Sequence, residues 1–272
     1  MTLLKKLLNF YINASIHVAL AVYSFVRITE FYFDLPYNEN LDYFVFYATI
    51  TGYNFVKYFG IAKFHHRSLT KGLKIIQIFS FICFVFVCYY AYQLSTKTLL
   101  LYAVFGALTI LYAIPFLSGF QKSLRSVSYL KIIVVAFVWA GVTVVIPEYD
   151  AENKVLTTTV ILQSVQRFML VGVLILPFDI RDMQFDAISL QTIPRKIGVK
   201  STKKLGYVLL LFTLVIEFLI SPTSIFRSLF LVIFFLILFL LMRSNKKQSK
   251  FYSSFLVEAV PIIWWLLLIL FL

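Results

Sequence analysis

Nine stretches of about 20 residues, each nearly free of charge, run through the chain at 8–29, 41–63, 73–94, 98–117, 127–147, 156–178, 205–220, 224–242 and 254–272. That is the length a helix needs to cross the hydrocarbon of a bilayer. A helix satisfies its own backbone there, which irregular chain cannot do. The expected fold is therefore all-α, a polytopic membrane helix bundle of about nine transmembrane helices with cytoplasmic cap loops, forming one transmembrane domain over residues 1–272. Composition excludes the main alternative: 61% hydrophobic residues and a mean hydropathy of +0.90 leave no room for a soluble domain.

The formal net charge of +13 invites a nucleic-acid reading. Its placement argues against one, because the basic residues fall in short segments between apolar runs, as membrane topology requires. One alternating set of loops carries Lys5 and Lys6, then Lys63 to Lys74, then Lys122 to Lys131, then Arg181 to Lys204, then Arg243 to Lys250. The other set is dominated by Glu30, Asp34, Glu39, Asp42, Glu148, Asp150 and Glu152. The positive-inside rule then puts the N-terminus and the Asp179 segment in the cytoplasm. Lys5 and Lys6 precede a long apolar run with no short cleavable pattern, so the first segment reads as a retained anchor. Cys83 and Cys88 share one apolar run and read as packing residues.

Chemistry concentrates at the end of the sixth stretch, in Phe178-Asp179-Ile180-Arg181-Asp182-Met183-Gln184-Phe185-Asp186. If the helix continues, Asp179, Asp182 and Asp186 fall at i, i+3 and i+7 and share a face. Three like charges beside hydrocarbon call for a counter-charge, and hard oxygen ligands suit Mg²⁺ bridging to phosphate. The plainer alternative is a helix end that solvates its acids at the membrane surface. Thr192-Ile193-Pro194 and Gly198 then interrupt any helix, and Ser201 to Lys204 suggests a new start.

Charges inside the spans are the most informative single residues, since an ionisable group at that depth is expensive unless paired or wet. Lys57 is the clearest, one turn after Asn54 and about 10 Å below the end of its helix. Glu217 and Glu258 are the other two. His17 reads as a packing histidine, and His65-His66 as loop residues without metal-site spacing. The numerous Phe and Tyr side chains would line lipid, core or a cavity that handles a hydrophobic cation.

The whole pattern resembles the UbiA superfamily of intramembrane prenyltransferases. The resemblance rests on FDIRDMQFDAISLQTIPRKIG, in which Asp179, Asp182, Asp186, Thr192, Pro194 and Gly198 match a DxxDxxxD motif followed by a Thr-Leu-Pro-like turn and a glycine. It also rests on LYAIPFLSGFQKSLRSVSYLK, followed by Trp139, whose Tyr112, Pro115, Lys122 and Arg125 look like the family's Tyr-Pro-Lys-Arg segment. The resemblance implies a prenyl diphosphate donor, a hydrophobic aromatic or isoprenoid acceptor, and Mg²⁺ held by Asp179, Asp182 and Asp186. It further implies Asn54, Lys57, Tyr112, Lys122, Arg125, Arg181 and Thr192 as substrate-binding residues. One departure is large. Where relatives carry NDxxDxxxD in the second helix, this chain has Asn54, then Phe55, Tyr58 and Ala62 in place of the acids, with Lys57 among them. Lys57 could replace a metal at the diphosphate, or pair permanently with Asp179 or Asp182 and silence the site. The two function readings are accordingly a prenyltransferase with an atypical, metal-poor site, and a non-catalytic member that binds a lipid or quinone-like molecule or scaffolds a membrane complex.

Overall fold

The computed structural model describes residues 3–64, 71–113, 130–152, 157–184 and 192–272. They form helices α1 (Leu3–Asn13), α2 (Ile16–Phe33), α3 (Glu39–Phe64), α4 (Lys71–Gln93) and α5 (Thr96–Ala113). A long rod follows, α6 (Leu130–Ala140) running through a π turn (Gly141–Val145) into α7 (Ile146–Glu152). After it come α8 (Thr158–Asp182), α9 (Ile193–Ile220), α10 (Ser224–Arg243) and a second π turn (Tyr252–Val257) leading into α11 (Val260–Phe271). The helices run in the order of the expected stretches, and among the described residues six of them are long and apolar enough to cross a membrane. The fold is a multi-pass helical membrane bundle.

Three boundaries show local chemistry at work. The first expected stretch is broken, because Ser15 adopts φ 62° and ψ 21°, a left-handed conformation that ends one helix before the next begins. The start of α3 is capped by Asn38, whose Oδ1 accepts from the backbone N–H groups of Asn40 and Leu41. Gly198, at φ 79°, kinks α9 just after its first turn, in a backbone conformation that only glycine adopts freely. Pro194 sits in that first turn, where its missing N–H has no partner to lose.

Packing closes the rods into a ring. Helix α2 packs on α3 and α11, α3 on α4 and α5, α6 on α5 and α8, α8 on α9, and α10 on both α9 and α11. The densest core lies between α2, α8, α9, α10 and α11, around Phe25, Leu170, Leu210, Phe230, Ile233 and Trp264. Outward faces stay apolar, as with Phe81 and Val85 on α4 or Val215 and Leu219 on α9. Exposed in this way, such residues suit a lipid solvent. Helices α8, α9 and α10 approach closely at Gly206, where an added Cβ would lie 2.5 Å from Leu241 Cδ2 and 2.8 Å from Leu176 Cδ1. Both leucines are about 1% exposed. Gly206→Ala is therefore expected to destabilise the bundle by about 1–3 kcal/mol through overpacking, read as a lowered thermal unfolding midpoint in detergent.

Candidate functional site

Helix α3 and helix α8 stand on opposite sides of the bundle interior. They face each other across a central cavity of about 1200 Å³, completed by α5, α6 and the segment before α11. Its inner wall is apolar and aromatic, with Phe44, Val45, Tyr102, Phe105, Trp139 and Val142. Trp139 Nε1 donates to Tyr53 Oη at 2.9 Å, which fixes two of the rings. The mouth, where α8 ends, is polar. Lys57, Lys131, Arg181, Lys247 and Lys250 line it, with Asp182 and Glu258 as the two carboxylates, an excess of three positive charges among the described residues.

Each expected site residue has a definite place. Lys57 faces the cavity and donates to Ser15 Oγ at 2.9 Å. Ser15 in turn donates to Asn54 Oδ1 at 2.8 Å. The left-handed break between α1 and α2 thus presents a hydroxyl lone pair to the ammonium. Asn54 is buried and does not line the cavity. Its Nδ2 donates to the Ala14 carbonyl at 3.0 Å and to Ser80 Oγ at 2.8 Å, so its amide braces the α1–α2 break in place of the substrate contact expected from the sequence. Arg181 and Asp182 line the mouth together, with Arg181 Nε and Nη2 both 2.8 Å from Asp182 Oδ1. Thr192 is buried at the start of α9, away from the cavity lining.

Asp179 is the main surprise. It is fully buried, and its Oδ1 accepts from Lys131 Nζ at 2.7 Å. Of the two roles left open for Lys57, the ion pair with Asp179 is made instead by Lys131 of α6, and Lys57 faces the cavity. Asp179 and Asp182 do share the last turns of α8, but only Asp182 reaches the cavity wall. Asp186, Lys122, Arg125, His65 and His66 lie outside the described residues, as does the side chain of Tyr112. Among the described residues, no three His, Cys, Asp or Glu side chains come together as a metal site.

Sequence reasoning passed over several contributors. Lys131, Lys247 and Lys250 were counted only toward topology, although Lys131 lies inside an expected span, where the rule that singled out Lys57 applies equally. Arg167, inside the sixth span, is 0% exposed and was missed by the same oversight. His17 is a packing residue as expected, with its ring nitrogens 2.9 Å from Tyr11 Oη and 2.9 Å from the Phe255 carbonyl. At the opposite end of the bundle the acids are structural: Asp150 accepts from Asn38 at 2.8 Å and from Thr98 at 2.6 Å, and Arg27 bridges Glu30 and Asp42.

A helical membrane bundle around an amphiphilic cavity, cationic at one end and aromatic within, is the class that the fold and site define. Comparison with solved structures narrows it. The chain shares its fold with a UbiA homolog from Aeropyrum pernix K1, solved in the apo state, at a TM-score of 0.67 and 15% identity over 94% of this chain and 98% of that one. It is similar also to a digeranylgeranylglyceryl phosphate synthase structure, at a TM-score of 0.59 and 14% identity over 98% of both chains. No family model matches the sequence, and no curated protein does. The fold is therefore the UbiA fold.

Proposed function

We propose that the chain is an intramembrane prenyltransferase of the UbiA type, taking a prenyl diphosphate with its head at the cationic mouth and its chain along the aromatic wall. The observation that carries the reading is the cavity itself, about 1200 Å³ and opening beside Lys57, Arg181 and Lys250. Such a space is large enough for a long amphiphile. In the reaction, the allylic C–O bond breaks and its electron pair leaves with the diphosphate. Fixed cations at the mouth meet that growing negative charge. Tyr53, Tyr102, Phe105 and Trp139 offer π faces to the allylic cation. The acceptor carbon then bonds to the cation and releases a proton, which Glu258 on the cavity wall can take.

Mg²⁺ fits the described side chains poorly. Asp179 is enclosed by its contact with Lys131, Asp182 is held by Arg181, and the facing wall presents Lys57 beside Tyr58, one of the three positions where the family pattern has carboxylates. Ammonium and guanidinium groups meet the leaving-group charge in its place.

Purified protein supplied with radiolabelled farnesyl or geranylgeranyl diphosphate and a panel of phenolic and isoprenoid acceptors is expected to yield prenylated product. Binding without product from any pair would favour the second reading, a non-catalytic binder of an amphiphilic lipid. That reading draws on the Lys131–Asp179 pair, which ties up the first acid of the motif.

A further inference from the structure

We infer that the cavity mouth grips the phosphorylated head of a membrane lipid with cationic side chains alone, without a divalent metal, and that Lys57 and Lys250 are the principal contacts. The inference rests on the amphiphilic-cavity reading above and concerns how the head is held, whether or not transfer follows.

The five cations of the mouth fall into two groups. Lys131 and Arg181 each lie against a carboxylate, Asp179 at 2.7 Å and Asp182 at 2.8 Å, so much of their charge is already answered. Lys57, Lys247 and Lys250 have no ion pair among the described residues, yet all three line the cavity. Lys57 and Lys250 line one cavity as like charges. Glu258 is the carboxylate on the same wall left to balance them. One carboxylate therefore serves several cations. An ammonium carries three donors, and Lys57 uses one on Ser15 among the described residues. The others are available to the cavity.

The placement is built rather than incidental. Ser15 holds a left-handed backbone inside the bundle, and Asn54 fixes its hydroxyl, so the Lys57 ammonium has a fixed seat. The α10–α11 segment that carries Lys247 and Lys250 is tied to the end of α8 and braced on the π turn that follows it. Gln248 Nε2 donates to the Pro177 carbonyl of α8 at 2.7 Å and to Ser253 Oγ at 2.5 Å. Lysines from α3 and from this segment thus line the mouth of one apolar cavity.

The complementary ligand has several negative charges at one end and hydrocarbon behind them. A phosphate or diphosphate head accepts from many directions, and lysine binds it as a point charge. A divalent cation at the mouth would add to the excess positive charge.

The test uses the full chain in phosphatidylcholine nanodiscs, with affinity read from intrinsic tryptophan fluorescence. Geranylgeranyl diphosphate, geranylgeraniol and inorganic pyrophosphate are each titrated in excess EDTA and again in excess Mg²⁺. Geranylgeranyl diphosphate is expected to bind equally well in both buffers, and more tightly than the neutral alcohol or free pyrophosphate. Lys57→Ala and Lys250→Ala are each expected to weaken it about tenfold, the loss of one charge-assisted contact. Lys250→Arg should restore binding. Lys250 lies on an exposed segment, which keeps the test informative even if Lys57→Ala fails to fold. Binding lost in EDTA and regained with Mg²⁺ overturns the inference. Pyrophosphate matching the lipid overturns the lipid assignment. Turnover together with binding that is lost in EDTA would keep the proposed transferase and remove this inference, whereas EDTA-resistant binding without turnover would do the reverse.

Discussion

Arg167→Met is expected to lower the stability of the bundle by about 3 kcal/mol or more, since it removes several buried charge-assisted hydrogen bonds at once. Arg167 is 0% exposed on α8. Its Nη1 donates to the Phe25 carbonyl at 2.9 Å and to Thr143 Oγ1 at 3.3 Å, and its Nη2 donates to Thr29 Oγ1 at 3.4 Å. The guanidinium also lies 4.0 Å from the centre of the Phe25 ring. One side chain thereby fastens α2, the Gly141–Val145 π turn and α8. Glu217 of α9 is also 0% exposed, in a neighbouring polar cluster of the same core. That carboxylate accepts from Tyr32 Oη at 2.7 Å, Gln166 Nε2 at 2.7 Å and Ser221 Oγ at 2.5 Å. Methionine fills similar volume but withdraws the donors from the Phe25 carbonyl, Thr143 Oγ1 and Thr29 Oγ1. Arg167→Lys keeps the charge and loses the planar fork, so an intermediate loss is expected. Thermal unfolding of detergent-solubilised variants measures this, and an Arg167→Met midpoint equal to wild type would refute the account.

The second large effect is expected at Lys131. Lys131→Met takes away the ammonium that the enclosed Asp179 accepts from at 2.7 Å, at an expected loss of about 3 kcal/mol. Lys131 is 26% exposed and Asp179 is 0% exposed, so most of the penalty comes from the carboxylate left in a dry site. A double-mutant cycle separates this from lost packing: Lys131→Met with Asp179→Asn should be more stable than Lys131→Met alone. Additive single losses would show that the pair is not coupled. The cycle bears on function as well. If Asp179 served as a freely available ligand at the cavity, Asp179→Asn would weaken ligand binding directly, whereas a carboxylate committed to Lys131 acts by holding α6 against α8 at the mouth.

Sequence periodicity was a reliable guide to the rods, because a helix in hydrocarbon must be long and apolar whatever its neighbours are. The breaks at Thr192-Pro194 and Gly198 were equally legible, since proline and positive-φ glycine act locally. The break at Ser15 was not, because serine has no strong preference for that conformation. What holds it there is a set of distant partners, Asn54 and Lys57 of α3.

The same division runs through the site. Residue order alone determined that Asp179 and Asp182 end one helix, that Lys57 sits at depth in another, and that the chain is a membrane bundle of UbiA-like pattern. Only the packed structure decided which cation answers which acid: Lys131 took Asp179, Arg181 took Asp182, and Lys57 was left at the cavity with Lys250. Helical periodicity sets which face of its own helix a residue occupies. Pairing depends on how whole helices are rotated and spaced against one another, and that is settled by side chains scattered across the entire chain.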